Sequence, residues 1–188
     1  MIVVADSSPL VVLTNLNEIE ILPKLFGSVL IPPDVLAELA APRRPAAVRV
    51  FAAGPPSWLV VQAPHSIENI PGLHPGERAA ISLAAEVKAD LLLMDEKDGR
   101  RAALQRHLRI TGTVGVLERA AEENLLDLKT TFERLKATDF WIDAELLDTE
   151  RVIANVGGQA DVRPRLMEYF GPRTEAAGFI RTTCPRTR

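Results

Sequence analysis

Five short apolar runs punctuate the first 111 residues, and each gives way to a helical pattern. MIVVA (1–5), SVLIP (28–32), WLVVQ (58–62), DLLLM (90–94) and LRIT (108–111) predict strands. Most are apolar without period-2 alternation, the pattern of strands buried on both faces of a parallel sheet. Ser8-Pro9 predicts an N-cap followed by Pro at the first helical position, opening a helix over roughly 9–17. A short helix follows near 18–26, with Gly27 placed to end it. Pro33-Asp34 opens 33–41, and Pro75 opens 75–88. The Pro- and Ala-rich stretch 42–57 reads as a loop around a short helix at 45–53. Further helices are expected at 97–107, 113–123, 127–137 and 143–156. Strand–helix alternation of this kind argues for an α/β sandwich around a parallel sheet.

The pattern weakens after Gly157-Gly158, where Pro, Gly and Arg are scattered without period. Residues 1–156 are therefore expected to form one domain, and 157–188 an appendage or flexible arm. Composition changes this picture little. At 47% hydrophobic and 25% charged, the chain is ordinary for a globular protein, and its 5% aromatic content makes the core aliphatic. The single cysteine, Cys184, excludes an internal disulfide framework and a Cys-rich zinc site. The apolar start stops at Asp6 and has no basic segment before it, unlike a signal peptide. No run approaches the ~18 apolar residues of a membrane span. A soluble, cytoplasmic protein is expected.

The net charge of −3 is not that of a protein that coats nucleic acid. Six Arg in 157–188 leave the preceding residues more acidic than the whole. Several of those acids stand where chemistry concentrates. In an open parallel sheet, ligands bind beyond the carboxyl ends of the strands, near the point where strand order reverses. Asp6 follows the first strand and Asp95 the fourth. Either alone reads equally as a helix cap. Glu77 shares a helical stripe with Ala80, Ile81 and Ala84, which turns its carboxylate inward, although a first-turn Glu also gains from the helix dipole. Glu38 lies at the border of its own stripe, where a surface glutamate is the simpler explanation. Four such acids in one pocket would repel by ~4 kcal/mol per pair at 4 Å and an effective dielectric near 20. Either some of them protonate or cations are bound, and oxygen-only donors suit Mg²⁺ or Mn²⁺. Such ions activate water and stabilise the leaving oxygen in phosphodiester hydrolysis.

The segments MIVVADSSPLVVL, VLIPPDVLAEL, HPGERAAISLA, DLLLMDEKDGRRAA and ITGTVGVL, in this order and spacing, resemble the PIN-domain family. The likeness is to its prokaryotic branch, found as toxins of toxin–antitoxin pairs, and spans roughly residues 1–156. It implies a three-layer α/β/α fold whose parallel five-stranded sheet is ordered 3-2-1-4-5. It also implies Mg²⁺- or Mn²⁺-dependent endoribonuclease activity, inhibition by a cognate antitoxin protein, and a homodimer. The family's four acids fall on Asp6, Glu38, Glu77 and Asp95, with Ser8 at the small polar position after the first and Thr113 in a supporting role. Asp98 is an additional carboxylate or the cap of the helix at 99–107.

Arg78, Lys97, Arg100, Arg101 and Arg106 follow the acids closely and are candidates for RNA phosphate contacts, or else belong to solvated helix faces. His65, His74 and His107 lack zinc-site spacing, and no phosphate-cradling Gly-Lys loop occurs. Two other readings compete with a ribonuclease. One is a PIN-like module that holds RNA or protein without cutting, and the other is a hydrolase of small phosphate esters.

Overall fold

The computed structural model describes residues 1–136. The helix expected at 143–156 and the arm at 157–188 lie outside those residues. In chain order the elements are β1 (Val3–Ala5), α1 (Ser7–Asn15), α2 (Ile21–Phe26), β2 (Val29–Ile31), α3 (Pro33–Ala40), α4 (Ala46–Ala53) and β3 (Leu59–Val61). They continue as α5 (Pro75–Glu86), β4 (Leu91–Leu93), α6 (Lys97–Gln105), β5 (Ile110–Thr111), α7 (Thr113–Glu122) and α8 (Leu128–Lys136). The five strands pair in parallel in the order β3-β2-β1-β4-β5, within a three-layer α/β/α fold.

Burial explains the strands. β1 is central and its three side chains are all buried. Edge strand β3 leaves Val60 and Val61 exposed, as a strand with a neighbour on one side only would. Helix α5 lies against β1 and β4 and contacts α3 and α6, while α1 contacts α3, α4 and α7. Phe132 and Leu135 of α8 are buried, so this helix completes the core. Gly27 ends α2 with φ +77°, a conformation that costs glycine nothing, and its N–H reaches the Pro23 carbonyl at 2.9 Å.

Two helix starts differ from expectation. The cap of α1 is Asp6, not Ser8, because its carboxylate accepts the Ser8 N–H at 3.4 Å and α1 already begins at Ser7. Pro9 then sits in the first turn, where its missing N–H has no intrahelical partner to lose. At α6 the cap position belongs to Glu96, and Asp98 lies inside the first turn.

Order and register together set up the site. β1 has β2 on one side and β4 on the other, so chain crossovers leave it in both directions and open a crevice at its carboxyl end. Ala5 is level with Leu93 across the β1–β4 ladder, and the Asp6 N–H donates to the Leu93 carbonyl at 2.9 Å. Asp6 is therefore level with Met94. Side chains alternate faces along extended chain, so this register, continued past Met94, predicts opposite faces for Asp6 and Asp95 and the same face for Asp6 and Glu96.

Candidate active site

A cleft of about 540 Å³ opens at the carboxyl end of β1. Asp6, Asp34, Glu38, Glu77 and Glu96 line it together with Ser7, Arg43, Arg44 and His74. Three of the four expected acids thus meet there, from β1, α3 and α5.

Asp6 is only 1% exposed. Its Oδ2 accepts from the Ser8 hydroxyl at 3.1 Å as well as from the Ser8 amide, whereas Oδ1 is buried without any hydrogen-bond partner. Burial pushes this carboxyl up to about 7, and the charges of Glu38 and Glu77 push the same way against the backbone bonds of Ser7 and Ser8. A buried acid with an unsatisfied oxygen is costly unless something compensates it.

Glu38 projects from the last turn of α3. Its Oε2 accepts the Ser7 hydroxyl at 2.7 Å, and its Oε1 accepts the Gly76 amide at 3.0 Å, in the first turn of α5. The amides at a helix start favour a carboxylate there. A Cβ at position 76 would collide with that carboxylate, so glycine is what lets Glu38 reach the helix end. The guanidinium of Arg44 lies 4.0 Å from Glu38 Oε2, donates to Ser7 Oγ at 3.4 Å and, through Nε, to the Glu38 carbonyl at 3.1 Å.

Glu77 is buried in the first turn of α5, where its Oε2 accepts the His74 amide at 2.7 Å. Burial raises its pKa first of all. The His74 amide opposes the rise, while Glu96 and Glu38 add to it through charge. A Cβ at Gly99 would stand 2.8 Å from Glu77 Oε1 and 2.5 Å from Met94 Sδ, so this glycine gives the carboxylate room beneath α6.

Asp95 is held elsewhere. Its Oδ1 accepts the Thr113 amide and its Oδ2 the Thr113 hydroxyl, both at 2.7 Å, which fastens the end of β4 to the start of α7. Thr113 thus bonds Asp95, and the Ser8 hydroxyl bonds Asp6. Asp98 is exposed and lies 3.6 Å from Arg101.

The basic residues sort differently from expectation. Arg100 is 2% exposed and donates to the Met94 carbonyl at 2.9 Å, because α6 turns this position toward the sheet; it is an internal tie, not a rim contact. Arg78 donates to Asn69 at 3.2 Å, and Arg106 is bound to Glu68 and to the Ala102 carbonyl. Lys97 and Arg101 are exposed on α6, outside the cleft lining. The cations that do line the cleft, Arg43 and Arg44, come from the turn between α3 and α4. Their signal was a basic pair set between Pro42 and Pro45, inside a stretch read only as a loop. Ser7, Asp34, His74 and Glu96 also line the cleft, and none of them is among the expected site residues.

Whether this set suits a divalent cation turns on its donors. They are carboxylate oxygens around one buried oxygen that lacks a partner, which matches hard-cation chemistry. Among the described residues no three such side chains already converge closely enough to hold an ion. Mutual repulsion favours that spacing, and a bound cation would draw the groups together.

A parallel α/β/α sheet with carboxylates gathered at its carboxyl edge defines a class of acid-site α/β domain. Within that class, the model of the DUF3368 family, a PIN domain, matches residues 2–157, and the chain belongs to that family. A PilT N-terminus domain protein from the hyperthermophilic archaeon Sulfolobus solfataricus is similar at 18% identity and a TM-score of 0.49, covering 64% of this chain and 93% of its own. No curated protein matches. Among the described residues no helix is long and apolar enough to cross a membrane.

Proposed function

We propose that the protein is a divalent-metal-dependent endoribonuclease, working with Mg²⁺ or Mn²⁺ held by Asp6, Glu38 and Glu77. Asp6, which lines an acidic cleft and keeps a buried oxygen without a partner among the described residues, carries this reading. A bound cation there would supply an activated water and neutralise charge on the phosphoryl oxygens. The chain's own groups prepare the site. Ser7 and the Gly76 amide each hold one oxygen of Glu38, and Arg44 braces both Glu38 and Ser7. The His74 amide fixes one oxygen of Glu77. Arg43 and Arg44 bring positive charge to the same cleft, where an RNA phosphate would be balanced against the acids. Burial lifts the Asp6 carboxyl to about 7, so a bound cation would compete with its proton and affinity would rise with pH.

The likeness of the motif series to prokaryotic toxins extends the proposal to a toxin paired with a cognate antitoxin protein, acting as a homodimer in the cytoplasm. A short neighbouring reading frame whose product copurifies with the chain and blocks cleavage is the result that role requires.

The direct test is cleavage of a mixed single-stranded RNA pool, with and without Mn²⁺, beside a small phosphodiester. Cleavage of RNA that needs Mn²⁺ and drops by ~10²-fold or more in Asp6→Asn is expected. RNA binding without cleavage would leave a binding module, and turnover of the small ester alone would overturn the RNA assignment.

A further inference from the structure

We propose that Glu96, and not Asp95, is the fourth carboxylate of the metal site. The inference rests on the metal-dependent reading above and deepens it. Asp6 and Asp95 each end an apolar run, but they are not level. Asp6 comes directly after Ala5, whereas one further residue, Met94, separates Asp95 from Leu93, the partner of Ala5. A shift of one residue sends a side chain to the opposite face, and a second residue brings it back. The surroundings agree with that count. Both Asp95 oxygens accept from Thr113 at 2.7 Å, at the first residue of α7, and Asp95 does not line the cleft. Glu96 does line it, as do Asp6, Asp34, Glu38 and Glu77; Asp34 lies in the first turn of α3, whereas the charge of Glu96 is felt at Glu77. Glu96 occupies the cap position of α6 with extended backbone, φ −65° and ψ 126°, and its side chain makes no capping bond.

An acidic cluster alone would not indicate a ligand. Here Asp6, 1% exposed, lines the same cleft and keeps a buried oxygen that no group among the described residues satisfies. A cation seated against that oxygen needs further oxygens from the open side, and Glu96 is exposed and unspent there. Asp95 is bonded through both oxygens to a fully buried threonine outside the cleft lining, whereas Glu38, whose oxygens are also bonded, stays in that lining.

Titration calorimetry of Mn²⁺ into the full chain tests this without reference to activity. Loss of a ligand should cost at least as much as loss of an outer-shell partner, so Glu96→Gln is expected to weaken Mn²⁺ by ~10–100-fold. Asp95→Asn is expected to lower the melting temperature while changing Mn²⁺ affinity by less than about twofold. Parent-like affinity in Glu96→Gln, or a tenfold loss confined to Asp95→Asn, overturns the assignment and leaves the metal reading standing. Absence of Mn²⁺ binding in the parent sinks both. Circular dichroism of each variant separates lost ligation from lost fold.

Discussion

The ends of β1 and β4 lie side by side, and each carries an aspartate just past a buried strand, yet the two carboxylates are in opposite physical states. Asp6 is sealed from water with one oxygen unsatisfied, and burial lifts its pKa to about 7. Asp95 is half-buried with both oxygens paired to one threonine, and it serves as a clamp between β4 and α7. What separates a loaded group from a satisfied one is therefore not residue type or nearness to a strand end. For this pair it is whether the surrounding backbone and hydroxyls supply both oxygens with a bond; Glu38, bonded at both oxygens, differs from Asp95 in lining the cleft. Unsatisfied and buried, an acid holds free energy that a ligand can release; satisfied, it contributes to the fold.

The sharpest way to break this comparison is the pH dependence of stability in chelator, where the largest effect is expected. Asp6 moves from an ordinary value of 3.8 to about 7 on folding. Between those values the native state keeps a proton that the unfolded chain has released, so stability falls as pH rises. Below 3.8 both states are protonated and the penalty is absent; above 7 both are ionised and it is complete. At 1.36 kcal/mol per pH unit the full penalty is roughly 4 kcal/mol. Asn still caps a helix but cannot ionise, so Asp6→Asn should match the parent near pH 4 and exceed it near pH 8. Urea melts at both pH values check this, and parallel parent and variant curves would place Asp6 in the same state as Asp95.

A smaller effect is expected at the other strand end. Thr113→Val keeps the amide bond to Asp95 Oδ1 and removes the hydroxyl bond to Oδ2. Hydrogen bonds to charged groups are worth ~1.5–3 kcal/mol, and stability should fall by that amount. Mn²⁺ bound to the folded parent should raise its melting temperature, and that rise should survive in Thr113→Val, since the clamp stands apart from the cleft. A variant that folds stably but no longer responds to Mn²⁺ would join the two strand ends into one site.

Much of this was legible in the sequence because parallel strands buried on both faces read as continuous apolar runs. That is why all five strands fall within the expected segments. Asp6 and Glu77 were legible for a related reason: an acid at a strand end or on an apolar stripe conflicts with its surroundings. Register was not legible. Whether Met94 extends the strand or separates Asp95 from it depends on pairing with β1, which is a contact between residues far apart in sequence. Nor was the space that Gly76 and Gly99 leave for Glu38 and Glu77, since it exists only once α3, α5 and α6 are packed. Arg100 misled for a simpler reason. A charged residue counts as exposed in a pattern, but a carbonyl at the end of a strand can accept its guanidinium inside.

The same division between the two regions should hold for the cations beside them, with the smallest expected effect. On the cleft side, Arg43 is exposed and lines the cavity with the acids. On the α6 side, Arg101 lies 3.6 Å from Asp98, with their side chains 64% and 73% exposed, a solvent-screened pair worth about 0.5 kcal/mol or less. Under the ribonuclease reading, a phosphate contact by Arg43 carries a signature that simple loss of charge on α6 does not. Each contact to single-stranded RNA contributes about 0.7 to the slope of log affinity against log salt. Arg43→Ala should lower that slope by about one contact and raise KM with kcat nearly unchanged. Arg101→Ala should alter neither KM nor the slope. The reverse result, with the salt slope moving in Arg101→Ala and not in Arg43→Ala, would route the RNA strand across α6 and past the β4 end. Asp95 would then lie nearer the substrate than its bonds to Thr113 suggest.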